Sequence, residues 1–365
     1  MSNFNDCKKM KSFFIGKYEI KLPIIQGGMG VGVSLNGLAS AVANEGGVGV
    51  ISAAGLGLLY PACKGTYLDR CIYGLREEIR KAREKTVGVI GINIMVALSN
   101  FPDMVRTSIE EQADVIFAGA GLPLDLPSYL TEGSRTQLVP IVSSARAARL
   151  ICEKWSANYG YLPDAIVVEG PKAGGHLGFK REQLEDENYS LEHLIPEVVG
   201  VARSYAGQKD IPVIAAGGIS TGDDIARFMA LGASAVQMGS IFVPTEECDA
   251  SIEFKKVYIN AHAEDVRIIQ SPVGMPGRAF DGAFIRSVAE GKEKPRSCPF
   301  HCIKTCDYTK SPYCIIKALY NAAKGNMAKG YAFAGGNAYL SDKIRSVKEV
   351  VERLKADFFL SKAAL

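Results

Sequence analysis

Eight short, β-branched apolar runs, most of them followed by a stretch with helical spacing, constrain this chain more than any other feature. The runs cover residues 22–26, 48–52, 89–95, 115–118, 138–142, 165–169, 213–216 and 235–238. The stretches between them carry apolar residues three and four apart. Leu38, Ala39, Val42 and Ala43 share a face over 37–44, and Leu75, Ile79 and Ala82 share one after Asp69. Further helices are predicted near 103–112, over 145–155 and over 224–231, with Gly232 ending the last. Strand and helix in alternation predict a parallel sheet covered by helices.

Eight such units in roughly 220 residues fit a (βα)8 TIM barrel, whose usual size is about 250. The structural competitor is an open doubly wound sheet, which carries G-x-G-x-x-G after its first strand. The first turn instead reads Gly27-Gly28-Met29-Gly30-Val31-Gly32-Val33, and no window fits that spacing. A barrel is predicted over residues 19–243. Residues 244–334 leave the alternation and predict a smaller helical subdomain after the eighth strand. Helices are predicted over 251–263 and 312–323, with a loop over 271–278. Residues 335–365 return to the barrel, with its final outer helix over 346–354.

Lysine plus arginine is 42 and aspartate plus glutamate 39, a balance of +3 that calls for neither nucleic acid nor an anionic membrane. No apolar run approaches the roughly 20 residues of a membrane helix. Residues 1–18 lack a sustained apolar segment, so no secretory signal is expected. Nine cysteines without such a signal point to a reducing, cytoplasmic setting. The expected partner is a small molecule, and a homo-oligomer is left open.

Active sites of such barrels lie at the C-terminal ends of the strands. Glycine pairs stand there after the seventh run, Gly217-Gly218, and Gly239-Ser240 follows the eighth. Glycines can simply end strands. At these two strands they also suit a phosphate cradled by backbone N–H groups. Ser240 offers a hydroxyl or a helix cap. Of four histidines, His176 alone stands in a glycine-rich turn, 169–178, at a strand end. It suits proton transfer near neutral pH, or a turn hydrogen bond to backbone.

The stretches 26–30, 91–95, 169–178 with its Ala-Gly-Gly-His core, 212–219 and 235–240 resemble the nitronate monooxygenase family, formerly 2-nitropropane dioxygenase. That family includes the related flavin-dependent enoyl-ACP reductase II. The resemblance covers most of residues 19–250 and is loose beyond. It implies an FMN-dependent oxidoreductase with Gly28 and Met29 against the isoalloxazine and Asn93 and Gln237 near flavin or substrate. It implies Ala173, Gly174 and Gly175 lining the flavin, and Gly217, Gly218, Gly239 and Ser240 on the phosphate, with Met238 beside them. His176 would face the substrate. The implied reaction is oxidation of nitronates or nitroalkanes with oxygen; the alternative is NAD(P)H reduction of an enoyl thioester or another acceptor. Some family members carry a lysine at the end of strand five, where this chain has Ser143-Ser144, as in the reductase branch. Lys172 could supply a cation instead. Asn337 and Tyr339 either reach the site from the C-terminal segment or are surface turn residues.

Cys298, Cys302, Cys306 and Cys314 crowd into one stretch. Four thiols this close can ligate zinc or an iron–sulfur cluster. Their spacing matches neither the common zinc nor ferredoxin patterns. Cys298, Cys302 and Cys306 could equally lie on one helix face as small buried groups. A flavin-binding redox sensor using these cysteines is a third reading.

Overall fold

Residues 10–364 are described by a computed structural model. Eight parallel strands close into a barrel. They are β1 (Ile24–Gln26), β2 (Val48–Ser52), β3 (Val89–Met95), β4 (Val115–Gly119), β5 (Gln137–Val142), β6 (Ile166–Glu169), β7 (Val213–Ala216) and β8 (Ala235–Met238). Closure is made by β8 on β1, with Val236 opposite Ile24 and Met238 opposite Gln26. The predicted TIM barrel is therefore the fold.

Side chains alternate between the two faces of each strand. Ile25, Val48, Val50, Val115, Phe117, Val139, Val167, Ile214 and Ala235 fill the barrel interior. Their neighbours Ile24, Ile51, Ile90, Ile92, Ile116, Leu138, Val168 and Val236 pack outward against the helices. Those helices include Asn36–Asn44, Tyr67–Lys85, Phe101–Glu110, Ala145–Tyr159, Leu191–Arg203 and Gly222–Ala230. Only a 3-10 turn, Leu126–Tyr129, stands between β4 and β5. Gly232, at φ +105°, takes the left-handed position just past the end of its helix, as predicted. The last helix, Val347–Ala364, runs ten residues beyond the predicted end and lies hard against Gly222, where a Cβ would sit 2.2 Å from the Phe358 nitrogen.

Two parts differ from the sequence reading. A hairpin of Phe13–Ile15 and Tyr18–Ile20 turns through Gly16 and pushes Phe13, Ile15 and Ile20 into the interior cluster. It closes the N-terminal end of the barrel. The second is the loop predicted over 271–278. Strand Pro276–Phe280 pairs antiparallel with Val266–Gln270 on one side and with Gly175–His176 on the other. Proline is tolerated as the first residue of that strand, and this hid it. The region also holds helices Ile252–Ile259, Ala283–Ala289 and Ile315–Ala323 and a core of Ile269, Ala279, Phe284, Tyr313, Ile315, Ala318 and Tyr331. Among the described residues no helix is long and apolar enough to cross a membrane.

Candidate active site

The two-residue period that fills the barrel also floors its C-terminal mouth. On β3, Val89 packs against the interior cluster, and a Cβ on Gly91 would meet Phe117 and Val50. Asn93, two residues on, shares that face. By the same period Glu169 follows Ala165 and Val167, and Gln237 follows Ala235. Three polar side chains thus project inward from β3, β6 and β8 near the mouth. Met238 has the opposite parity. Its side chain is buried in the outer core, and only its main chain reaches the mouth, accepting from Gly27 N at 2.8 Å.

The turn after β1 crosses this floor. A Cβ on Gly28 would lie 2.2 Å from Asn93 Cβ, so only glycine passes there. Met29 is pinned by Ser34, whose hydroxyl accepts from Met29 N at 2.5 Å. The Met29 sulfur lies 3.4 Å from the position of a Cβ on Gly239.

Opposite, the Ala-Gly-Gly-His turn is held from three sides. Arg278 donates from Nη2 to Pro171 O at 2.6 Å and from Nε to Ala173 O at 3.3 Å. Burial lowers the pKa of this guanidinium. Ser143 donates to Gly178 O at 3.1 Å, while Ser144 caps the next helix by accepting from Ala147 N. The segment from Ala334 to Asn337 crosses behind. Gly336 N donates to Lys172 O at 2.9 Å, and a Cβ on Gly174 would lie 2.6 Å from Gly335 N.

Gly217 and Gly218 take φ +100° and +79° beneath this turn. Asn337 donates to Gly218 O at 2.6 Å, and Gly335 N donates to Ser240 Oγ at 2.9 Å. Asn337 therefore reaches the site from the C-terminal segment; no side-chain hydrogen bond of Tyr339 does, among the described residues. Ser240 does not cap a helix with its side chain. The backbone N–H groups of Gly218, Gly239 and Ser240 donate to no main-chain carbonyl among the described residues. Three N–H donors without a main-chain acceptor suit an anionic oxygen cluster. The Lys172 side chain is exposed, and its stem lies where a Cβ on Gly218 would stand, 2.7 Å from Lys172 Cβ.

His176 sits at the rim on its two-residue strand. Its Nε2 is 2.7 Å from the Oγ of buried Ser271, and its ring stands edge-on to Phe333 at 5.1 Å. Burial pushes the imidazole down to about 4, so it is neutral at physiological pH. With Nε2 engaged, Nδ1 is the nitrogen left for a substrate. Glu169 is pushed up to about 7 by burial alone. Glu169, Ser271, Arg278 and Phe333 were not singled out from the sequence. The alternation Ala165, Val167, Glu169 carried a signal for the first. The others arrive from more than 90 positions away and carried none.

Cys298, Cys302, Cys306 and Cys314 are free, half-buried thiols. Residues 298–306 form no helix, so the one-face reading fails. No group of three or more His, Cys, Asp or Glu is arranged to hold a metal ion among the described residues.

A family-wide sequence profile described as nitronate monooxygenase matches residues 11–114 and 100–357. A (3aS,4S,5R,7aS)-5-hydroxy-7a-methyl-1-oxo-octahydro-1H-indene-4-carboxyl-CoA dehydrogenase of Rhodococcus jostii is 27% identical over 269 residues, covering 74% of this chain and 65% of that relative's length. A probable nitronate monooxygenase of Staphylococcus saprophyticus is 25% identical over 306 residues, covering 77% and 82%. The solved structure of FabK from Thermotoga maritima superposes with a TM-score of 0.72 at 29% identity, covering 94% of this chain and 95% of that one.

Proposed function

The chain belongs to the nitronate monooxygenase family and is a flavin-dependent oxidoreductase of that family; we propose that it binds FMN across the barrel mouth and oxidises nitronates or nitroalkanes with oxygen. The observation that carries this reading is the neutral His176, held by Ser271 above a floor of Asn93, Glu169 and Gln237.

The residues fit the cofactor. Gly217 and Gly218 turn the chain at positive φ, and the N–H groups of Gly218, Gly239 and Ser240 have no main-chain acceptor where a terminal phosphate would lie. Ala173, Gly174 and Gly175 would line the ring, with Gly28 and Met29 against it and Asn93, Glu169 and Gln237 toward its polar edge. When bound, FMN supplies the two-electron acceptor and the reaction with oxygen.

His176 handles the proton. A neutral nitroalkane must lose its α-proton, and an imidazole unprotonated above about pH 4 is ready to accept it. For that role Nε2 donates to Ser271 and Nδ1 keeps the lone pair. In the opposite tautomer Ser271 donates to Nε2, and Nδ1–H becomes a donor. One hydrogen bond thus fixes whether the ring acts as base or acid.

A second reading, an NAD(P)H-dependent reductase of enoyl thioesters, is favoured by one specific observation. Ser143, not a lysine, follows β5, and it holds the Ala-Gly-Gly-His turn through Gly178. The likeness to FabK and to a relative named for a CoA thioester is in keeping with it. Purified protein is expected to be yellow and to release FMN, not FAD, on denaturation. Colourless protein that takes up no FMN on reconstitution would sink both readings.

A further inference from the structure

Four of the six residues 27–32, in the turn after β1, are glycine: Gly27, Gly28, Gly30 and Gly32. Such a stretch has little conformational preference of its own. Met29, in its middle, is nonetheless fixed at both its peptide groups by one residue. Besides the Met29 N–H bond to Ser34 Oγ, its carbonyl accepts from Ser34 N at 3.0 Å and from Ser34 Oγ at 3.1 Å. Where Met29 stands is decided by where Ser34 stands.

Ser34 is fully buried, and Asp249 grips the residues on either side of it. The Asp249 N–H donates to Val33 O at 3.2 Å, and its Oδ2 accepts from Leu35 N at 2.8 Å. The same carboxylate takes Gly37 N on Oδ1 at 3.0 Å and Leu38 N on Oδ2 at 3.1 Å. Gly37 and Leu38 lie in the first turn of the helix Asn36–Asn44, whose own N-cap, Leu35, makes no side-chain cap. Gly37 lets the carboxylate in, since a Cβ there would lie 2.6 Å from Oδ1. A second carboxylate, Glu78, accepts from Asn36 N at 2.9 Å on the same turn. It forms no hydrogen bond with residues 27–35 among the described residues. The segment that carries Asp249 is itself tied to the C-terminal part. Glu246 N donates to Arg345 O at 2.9 Å, and Glu247 Oε2 accepts from Val347 N at 2.9 Å.

We propose that Asp249 is a positioning residue for the cofactor site: it sets Ser34, and Ser34 holds Met29 in the place that receives the isoalloxazine. This rests on the FMN reading above. The role asks for a carboxylate. Three N–H groups converge on its two oxygens, and an amide of the same shape would turn its NH2 toward at least one of them.

The test follows FMN affinity by fluorescence titration, and the visible spectrum of the bound flavin, in the full chain with Met29 and with Met29→Ala. Asp249→Asn is expected to weaken FMN binding roughly 2- to 10-fold when Met29 is present. It should have little effect once Met29 is replaced, because the two residues act in series. Gly37→Ala displaces the carboxylate but keeps its charge, and should give the same loss; it decides the matter if Asp249→Asn does not fold. Both variants should alter the flavin spectrum. Glu78→Gln removes a carboxylate from the same helix turn and should leave affinity and spectrum as in wild type. A loss of equal size with and without Met29, a loss shared by Glu78→Gln, or FMN bound as in wild type by the folded Asp249 and Gly37 variants would overturn Asp249 as a positioning residue. Wild type that takes up no FMN would remove the flavin reading itself, and this role with it.

Discussion

His176 and Ser271 meet side chain to side chain, Nε2 to Oγ at 2.7 Å, although 95 positions separate them in the chain. The contact exists because strand Gly175–His176 pairs with Pro276–Phe280, whose hairpin turn begins at Ser271. A residue of the barrel loop is thereby aimed by a residue from the region after the barrel.

If His176 moves the substrate proton, its loss should depend on the substrate. His176→Ala is expected to retain flavin and to lose about 10²- to 10⁴-fold in kcat/KM on a neutral nitroalkane. A pre-formed nitronate already lacks that proton, so its oxidation should fall much less. Steady-state rates on the two forms of one compound check this; equal losses on both would assign His176 a structural role.

Ser271→Ala should leave a working but misaimed base. Removing one hydrogen bond costs about 0.5–1.5 kcal/mol, roughly a 2- to 10-fold loss in kcat. The pH profile separates aim from basicity. In wild type burial holds the imidazole down to about 4, so activity on a neutral nitroalkane should persist well into acid. Ser271→Ala leaves that burial in place, so the acid limb should stay where it is while kcat falls. An unchanged kcat would leave Ser271 as packing only.

Glu169 ties stability to pH. Its folded pKa of about 7 lies above the unfolded value of 4.5, so the native state holds the proton more tightly. Stability from this group is full below 4.5 and is lost as pH rises through 7. Glu169→Gln mimics the protonated form. Melting curves of flavin-free protein should nearly coincide at acid pH and diverge toward pH 8, with the variant the more stable. A constant gap across pH would remove Glu169 as the cause.

Asn337 braces the proposed phosphate cradle through Gly218 O at 2.6 Å. Asn337→Ala is expected to weaken FMN binding by roughly 2- to 10-fold, measured by fluorescence titration. The contrast between nitroalkane and nitronate should stay as in wild type, since His176 is untouched.

Much of this was legible along the chain. β2, β3, β7 and β8 have the bounds that their β-branched runs predict. β1 is two residues shorter, since Pro23 has no N–H to give and Leu22 N turns to Gly46 O. The glycines at 28, 174, 217 and 218 announced close backbone approaches, and each proves to have a neighbour where a Cβ would stand. What the sequence hid was long-range. The hairpin Phe13–Ile20 is too short for periodicity to register. Strand Pro276–Phe280 begins with Pro-Gly-Arg and looks like a loop. Arg278 and Ser271 gain their roles only when that strand pairs with Gly175–His176, a contact no local pattern encodes.

Anaerobic rapid mixing of the flavin-loaded protein with a nitronate, its parent nitroalkane, NADH and NADPH in turn tests the proposed chemistry most directly. The flavin absorbance should bleach with the nitronate and, through His176, with the nitroalkane, and should recover on admitting oxygen. A flavin that stays oxidised with both nitro compounds but bleaches with NADH or NADPH would contradict that chemistry and leave the reductase reading in its place.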